Sequence, residues 1–173
     1  MLKETVPAAK RIDVLYNPDE RPTEPEIRQT EAAAKTLGVV LQPIEARSGA
    51  DLSQAFTSAA SAGADALITF AHSFSLYNRS RIAELAVQHR LPAMYGWREF
   101  AEAGGLMVYG PNIADTLYRA ASFVDRIVKG STPAEMPIEQ PTKFELVINL
   151  KTARALGLEF PAHLLIRADA VIE

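Results

Sequence analysis

Short apolar segments alternate with helical patterns along the sequence, and this alternation restricts the possible folds more than any other feature. The segment Asp65–Phe70 (DALITF) is a nearly continuous apolar run, as found in strands that are buried on both faces. Similar segments predict four more strands, at Arg11–Asn17, Val39–Ala46, Pro92–Gly96 and Leu106–Gly110. Strand–helix–strand units repeated in this way predict an α/β fold with a doubly wound parallel sheet, a Rossmann-like arrangement.

Helical periodicity fills the intervals between these strands. Thr23 and Glu26 have the spacing of a capping box, and the helix that they begin should end before Gly38. Further helices are expected after Asp51 and over Ser80–Arg90. Pro43 lies inside the second strand, and since proline cannot donate to a ladder, this strand should be at an edge of the sheet.

The last third of the sequence is less regular. Asn112–Lys129 is expected to form a helix with one apolar face. Three prolines in Ser131–Thr142 indicate an extended crossover. Lys143–Leu150 reads as another strand, Thr152–Leu156 as a short helix, and Ala162–Glu173 as a last helix.

Composition excludes several classes of protein. The 173 residues are 48% apolar and 23% charged, as expected for an ordinary globular domain. A net charge of −3 argues against nucleic-acid binding, and no apolar run approaches the ~18 residues of a membrane span. Residues 1–8 have no apolar stretch typical of a signal peptide, so the chain as given is expected to stay in the cytoplasm unless Met1 lies inside a longer gene.

The sequence also lacks the common catalytic and cofactor motifs. It has no cysteine and no G-x-G-x-x-G, P-loop or G-x-S-x-G pattern. The three histidines are too widely spaced to predict a zinc site. The turn at residues 17–22 is acidic and proline-rich, unlike a phosphate-binding loop. We therefore expect no enzyme activity, no cofactor and no metal.

Candidate ligand-binding residues follow the predicted strands, because parallel α/β sheets bind ligands beyond the carboxyl ends of their strands. Three of the five tyrosines and the single tryptophan fall there, and amphipathic aromatic side chains suit a ligand cleft. The candidate site comprises Tyr16, Asn17, Arg47, His72, Ser73, Phe74, Tyr95, Trp97, Tyr109 and Gly110.

Each of the more distinctive candidates also has a purely structural interpretation. Tyr16 and Tyr109 could be ordinary residues at the margin of the core. Trp97 could cap the fourth strand, Arg47 could be a solvated surface charge, and His72 could be a surface histidine. The sequence leaves these alternatives open.

Several strings of residues resemble ABC transporter substrate-binding proteins of the tryptophan/tyrosine-binding type. The strings are LPAMYGWREFAEAGGLMVYGPN, PIEQPTKFELVINLKTARALGLEFP, RIDVLYNP, TEAAAKTLGVVLQPIEARS and ADALITF. The pieces INLKTARALGL and EAGGLMVYGP are the most specific. The resemblance covers nearly the whole chain and corresponds to the C-terminal part of the family.

The resemblance implies one Rossmann-like lobe of a type I periplasmic binding protein, which closes on a small molecule between two lobes. Residues 1–110 would be the ligand-binding lobe. Residues 111–173 would be a return segment that packs on the missing first lobe or on a second chain. The full-length parent would be periplasmic and would deliver its solute to an ABC transporter permease. A homodimer through Asn112–Lys129 is a possible arrangement of the chain as given.

The resemblance also bears on the ligand. Amino-acid-binding members often carry an acidic residue after the third strand, where this sequence has His72. With Arg47 at the same edge, an organic acid or an aromatic compound is the expected solute, because arginine binds carboxylates in a bidentate manner. The alternative function is that of a ligand-sensing or self-associating domain of a regulatory protein, although residues 1–10 are too short for a helix-turn-helix.

Overall fold

The computed structural model describes residues 1–20 and 23–173 and contains one seven-stranded sheet. The strands are β1 (Arg11–Tyr16), β2 (Val40–Glu45), β3 (Ala66–Thr69), β4 (Ala93–Tyr95), β5 (Met107–Pro111), β6 (Phe144–Asn149) and β7 (Ala170–Ile172). Their order across the sheet is β2-β1-β3-β4-β5-β6-β7. The five predicted strands and the predicted α/β class are confirmed, and the strand that contains Pro43 is at an edge.

The helices lie between these strands along the chain. They are α1 (Leu2–Thr5), α2 (Thr23–Leu37), α3 (Leu52–Ser61), α4 (Ser73–Tyr77), α5 (Arg79–Gln88), α6 (Glu99–Glu102), α7 (Ile113–Val128), α8 (Leu150–Leu156) and α9 (Ala162–Arg167). The capping box expected at Thr23, and part of the turn expected at residues 17–22, lie outside the residues and side chains that the structure describes.

Each face of the sheet is covered by its own hydrophobic core. Phe56 of α3 and Ile82 of α5 are fully buried on one face. Leu2 of α1 and Leu164 of α9 are buried with the strand residues Ile12 and Ile148 in the second core. Strands with apolar residues on both faces need helices on both sides, which is the doubly wound arrangement.

The C-terminal part differs from the sequence expectation in two respects. Strand β6 runs antiparallel to β5, because the crossover after α7 brings the chain back to the sheet at the end where β5 finishes, and Phe144 pairs with Pro111. The expected helix over Ala162–Glu173 is wrong in its second half, where β7 pairs in parallel with β6. The Asp169 carboxylate accepts the Leu146 amide N–H at 2.8 Å, and this hydrogen bond leads the β-branched residues Val171 and Ile172 into the sheet.

Residues 111–173 include both strands of the sheet and a helix with no buried residue. Strands β6 and β7 belong to the sheet, and Val147 and Ile148 are buried in its two cores. Helix α7 lies entirely within the described part of the chain, and none of its residues is buried. The division at residue 110 into a ligand-binding lobe and a return segment stays a prediction.

Candidate ligand-binding site

The parallel strands β1 to β5 bring their carboxyl ends to one edge of the sheet, and the candidate residues lie at or just after these ends. The parallel register aligns Tyr16 at the end of β1 with Glu45 at the end of β2. The Tyr16 hydroxyl donates to Glu45 Oε1 at 3.0 Å. Burial, followed by this hydrogen bond, raises the pKa of Tyr16 above its ordinary value. Tyr16 is therefore a neutral, half-buried phenol.

The Arg47 guanidinium is already paired with carboxylates. Its Nη1 lies 2.5 Å from Asp19 Oδ1, and its Nη2 lies 3.7 Å from Glu45 Oε2. The Arg47 side chain is nevertheless 58% exposed. Asn17 Nδ2 donates to the Arg47 carbonyl oxygen at 3.4 Å. These contacts tie the segment after β1 to the segment after β2, and they leave the guanidinium less available to an anionic ligand than the sequence suggested.

His72 lies between two carboxylates that the sequence analysis did not connect with it. Its Nε2 is 2.7 Å from Glu26 Oε2 in α2, and its Nδ1 is 3.8 Å from Glu20 Oε2. The side chain of His72 is only 12% exposed. Both ring nitrogens are buried and neither is aligned for a hydrogen bond, so the two glutamates lie close to the ring without a well-aligned hydrogen bond to it. His72 is therefore not the surface histidine of the structural interpretation.

The segments after β3 and β4 meet around His72. The Trp97 indole N–H donates to the His72 carbonyl oxygen at 3.2 Å, and Glu20 Oε1 accepts the Phe74 amide N–H at 2.8 Å. Trp97 and Phe74 are half-buried and pack against the core. Ser73 is exposed at the start of α4, where the sequence indicated only a loop.

Two candidate tyrosines lie apart from this group. Tyr95 is buried, 2% exposed, and stacks on Phe100 with ring centroids 4.2 Å apart. Burial raises the pKa of Tyr95. Tyr109 is 41% exposed and stacks on Phe144 of β6, with ring centroids 5.7 Å apart. The structure thus gives Tyr95 a place in the core and Tyr109 a place beside the antiparallel strand.

Gly110 allows the backbone segments at the carboxyl ends of the strands to pack closely. A Cβ atom at Gly110 would lie 2.0 Å from the carbonyl oxygen of Gly96. A Cβ atom at Gly96 would in turn lie 2.7 Å from the Cβ atom of Ala71. The segments after β3, β4 and β5 therefore approach one another more closely than residues with side chains would allow.

The acidic partners Asp19, Glu20, Glu26 and Glu45 are the site residues that sequence reasoning missed. Asp19 and Glu20 stood out only as acidic residues in a turn, and Glu26 only as part of a helix cap. Within residues 1–20 and 23–173, no three His, Asp or Glu side chains are arranged to hold a metal ion. In the part of the chain that the structure describes, no helix has the length and apolarity of a bilayer crossing.

Comparison with known protein families identifies the family to which the sequence is similar. Residues 1–172 match the family model described as ABC transporter substrate binding protein. The chain belongs to this family. The family comprises transport proteins that bind small-molecule solutes, and the resemblance found in the sequence is confirmed. A search of curated proteins finds no match for this chain.

Solved structures agree with the family assignment at the level of fold. A conserved domain protein from Vibrio cholerae is 24% identical over 98% of this chain, with a TM-score of 0.90. An ABC domain from Streptococcus pneumonia, in complex with L-Trp, is 22% identical over 99% of this chain, with a TM-score of 0.91.

A third similar structure is a ligand-free, open substrate binding protein with adhesive properties from Clostridium difficile, which is 20% identical over 99% of this chain with a TM-score of 0.74. The match covers 57%, 58% and 57% of these three proteins. The chain therefore spans less than three fifths of the length of the solved structures that it resembles.

Proposed function

We propose that this chain binds a small organic solute with an aromatic group at the carboxyl edge of its sheet, without chemical conversion. The observation that carries the proposal is the grouping of half-buried Trp97 and Phe74 around His72. Rigid aromatic side chains with hydrogen-bonded polar ends are typical of sites for aromatic ligands. The L-Trp bound to the Streptococcus pneumonia relative agrees with this class of ligand.

An organic acid is the less favoured ligand. That expectation depended on a guanidinium at Arg47 and an imidazole at His72 that were free to bind a carboxylate. Both groups have carboxylate partners, Asp19 and Glu45 for Arg47, and Glu20 and Glu26 for His72. A ligand carboxylate would have to displace one of these partners and would meet the repulsion of the others.

Four indole compounds that differ in charge separate the two possibilities. Indole, tryptamine, L-tryptophan and indole-3-acetate should be tested by saturation-transfer NMR and calorimetry. We expect binding to follow the indole ring and to weaken by about tenfold in Phe74→Ala, the amount that an aromatic contact contributes.

Arg47→Ala, with Arg81→Ala as the matched control on an exposed helix face, tests the alternative. If only indole-3-acetate binds, and Arg47→Ala weakens it more than tenfold, the solute is recognised as an acid. If none of the four compounds binds, an indole ligand is excluded for this chain.

We propose that the chain acts within a two-lobed, periplasmic substrate-binding protein that delivers its solute to an ABC transporter permease. The proposal is supported by the family and by the 57–58% coverage of the solved relatives. Blotting of fractionated source cells with an antibody against this chain checks it. A periplasmic band about twice the size of the chain, as two domains would give, supports the proposal, and a cytosolic band at the size of the chain contradicts it.

We also propose that a second copy of the chain can cover α7, which would make a homodimer through Asn112–Lys129. Leu117, Val124 and Val128 of α7 are 66%, 60% and 80% exposed. These side chains lie on one face of the helix together with Ile113 and Ala121. When two such stripes run antiparallel, Ile113 faces Val128 and Leu117 faces Val124, so the face is complementary to itself, as an isologous interface requires. Such an association favours the alternative function of a self-associating domain.

A further inference from the structure

A buried hydroxyl group closes the turn that follows β3. Ser75 is a buried residue of α4. Its hydroxyl oxygen lies 2.7 Å from the Phe70 carbonyl oxygen and 2.8 Å from the His72 carbonyl oxygen. Because a hydroxyl group has only one proton to donate, Ser75 shares this proton between the two carbonyl groups. The two contacts reach back five and three positions along the chain, so they hold the segment between β3 and α4 as one closed turn.

The His72 carbonyl group connects this turn to the segment after β4. Its oxygen accepts the Ser75 hydroxyl at 2.8 Å, the Leu76 amide N–H at 3.1 Å and the Trp97 indole N–H at 3.2 Å. The two N–H contacts are longer than the usual distance of about 2.9–3.0 Å, whereas the hydroxyl contact has the usual length for its type. Ser75 therefore contributes most to the direction of the carbonyl group that holds the Trp97 indole.

The same hydroxyl group also holds Phe74. Phe74 directly precedes Ser75 in α4 and packs against the core. Its carbonyl oxygen accepts the Asn78 side-chain amide at 2.9 Å and the Asn78 backbone N–H at 3.1 Å. Because the Ser75 side chain ties the backbone of α4 to Phe70, just after β3, the position of Phe74 relative to the sheet depends on the Ser75 hydrogen bonds. All of these contacts join uncharged groups.

Building on the ligand site proposed above, we propose that Ser75 is a positioning residue for the aromatic solute. It holds Trp97 through the His72 carbonyl group and Phe74 through the backbone of α4, so these two aromatic side chains keep one relative orientation before a solute binds. A preformed pair avoids the cost of ordering side chains on binding. Ser75 is buried and acts through these neighbours without contacting the solute. Since the Trp97 N–H is already used, Trp97 offers the solute the face of its ring.

The single tryptophan of the sequence permits a test that needs no ligand. In an isotope-labelled sample, its indole N–H gives one NMR signal, and relaxation of this signal measures how rigidly the indole is held in the folded molecule. We expect an order parameter near about 0.85 in the wild type, as for rigid backbone, and below about 0.6 in Ser75→Ala. Ser75→Thr keeps the hydroxyl group and should keep the indole rigid. A residue that only stabilised the fold would leave this order parameter unchanged, because it is a property of the folded state.

Ser122→Ala is the matched control, because the Ser122 hydroxyl also donates to a carbonyl oxygen three positions back, that of Arg119, at 2.7 Å, but lies in α7. This variant should keep the wild-type order parameter. An indole that is as rigid in Ser75→Ala as in the wild type would overturn the proposal. An order parameter below about 0.6 in the wild type would also overturn it, and this measurement keeps the proposal testable if Ser75→Ala does not fold.

Binding of indole adds a second measurement and separates this proposal from the proposed function. We expect indole to bind about tenfold more weakly to Ser75→Ala, the effect of one lost hydrogen bond, and with restored affinity to Ser75→Thr. If the order parameters are as expected and no indole compound binds, Ser75 positions the aromatic pair and the aromatic-ligand proposal fails. If indole binds equally to the wild type and to Ser75→Ala, and the indole is equally rigid in both, the positioning proposal fails and the binding function remains.

Discussion

Asp65 illustrates how one exposed carboxylate can organise the start of two strands. Its Oδ2 accepts the backbone N–H groups of Lys10 and Arg11 at 2.7 and 2.9 Å. These hydrogen bonds, that of Arg11 first, lower the pKa of Asp65 below its ordinary value of 3.8. The side chain thereby aligns the beginning of β1 with the beginning of β3, at the opposite end of these strands from the candidate ligand-binding site.

Replacement of Asp65 by Asn should therefore have a pH-dependent effect on stability. At pH 7 we expect Asp65→Asn to lower the free energy of unfolding by about 1 kcal/mol, because hydrogen bonds to an exposed charge contribute at the lower end of their range. Since folding lowers the pKa, this contribution is complete above pH 3.8 and is lost as the pH falls through the folded-state pKa.

Urea denaturation at pH 7 and at pH 3 measures the difference. Asp125→Asn is the control, because Asp125 of α7 makes a surface ion pair with Lys129, just after the helix, and such pairs contribute little. A difference between wild type and Asp65→Asn that stays constant down to pH 3 would contradict the prediction.

At the scale of elements, glycines allow neighbouring strands to end side by side. Strands β4 and β5 approach so closely that Gly110 has space for a hydrogen but not for a methyl group, because the Gly96 carbonyl oxygen occupies that position. The restriction arises from backbone contact, so no side chain can move away to relieve it. Trp97 follows Gly96 directly, so the close approach of these strand ends also fixes the position of the Trp97 backbone.

We expect Gly110→Ala to destabilise the protein by about 2 kcal/mol or more, the cost of forcing additional volume into a well-packed site. Gly49→Ala is the matched control, because its Cβ would meet only the Asn78 side chain, 2.7 Å from Oδ1, which can rotate away. Thermal unfolding of both variants checks the prediction, and equal losses of stability would refute it.

At the scale of the whole molecule, most of the chain forms one sheet with two cores, and α7 is the exception. A groove of about 450 Å³ separates α7 from the crossover and is lined by Phe123, Ile127 and Pro137 among others. Ile138 in this crossover is 99% exposed. An apolar surface of this kind is typical of an interaction site.

Self-association through α7 should respond to charges on its exposed face. We expect the wild type to form dimers at micromolar concentration and Leu117→Glu to be monomeric, because two glutamates would be buried in the isologous interface. Ser122→Glu is the control on another face of the helix. Sedimentation or light scattering measures the mass. A strictly monomeric wild type would exclude the homodimer.

Local patterns predicted most of the elements. The strands β1 to β5 and the helices between them follow from apolar runs, helical periodicity, capping residues and glycines. Because parallel strands end at one edge, the same patterns predicted which residues would lie at the carboxyl ends of these strands. The family resemblance rested on similarly local strings of residues, and the family model confirmed it.

Contacts between distant residues were not predictable from these patterns. Asp19 pairs with Arg47 over 28 positions, and Glu20 binds the Phe74 amide over 54 positions. The burial of Tyr95, the antiparallel direction of β6 and the pairing of β7 also depend on which segments meet. Periodicity records how a segment divides its surface between core and solvent. The partners of a segment depend on how the chain connects the elements and how they pack. These long-range contacts place carboxylates next to Arg47 and His72.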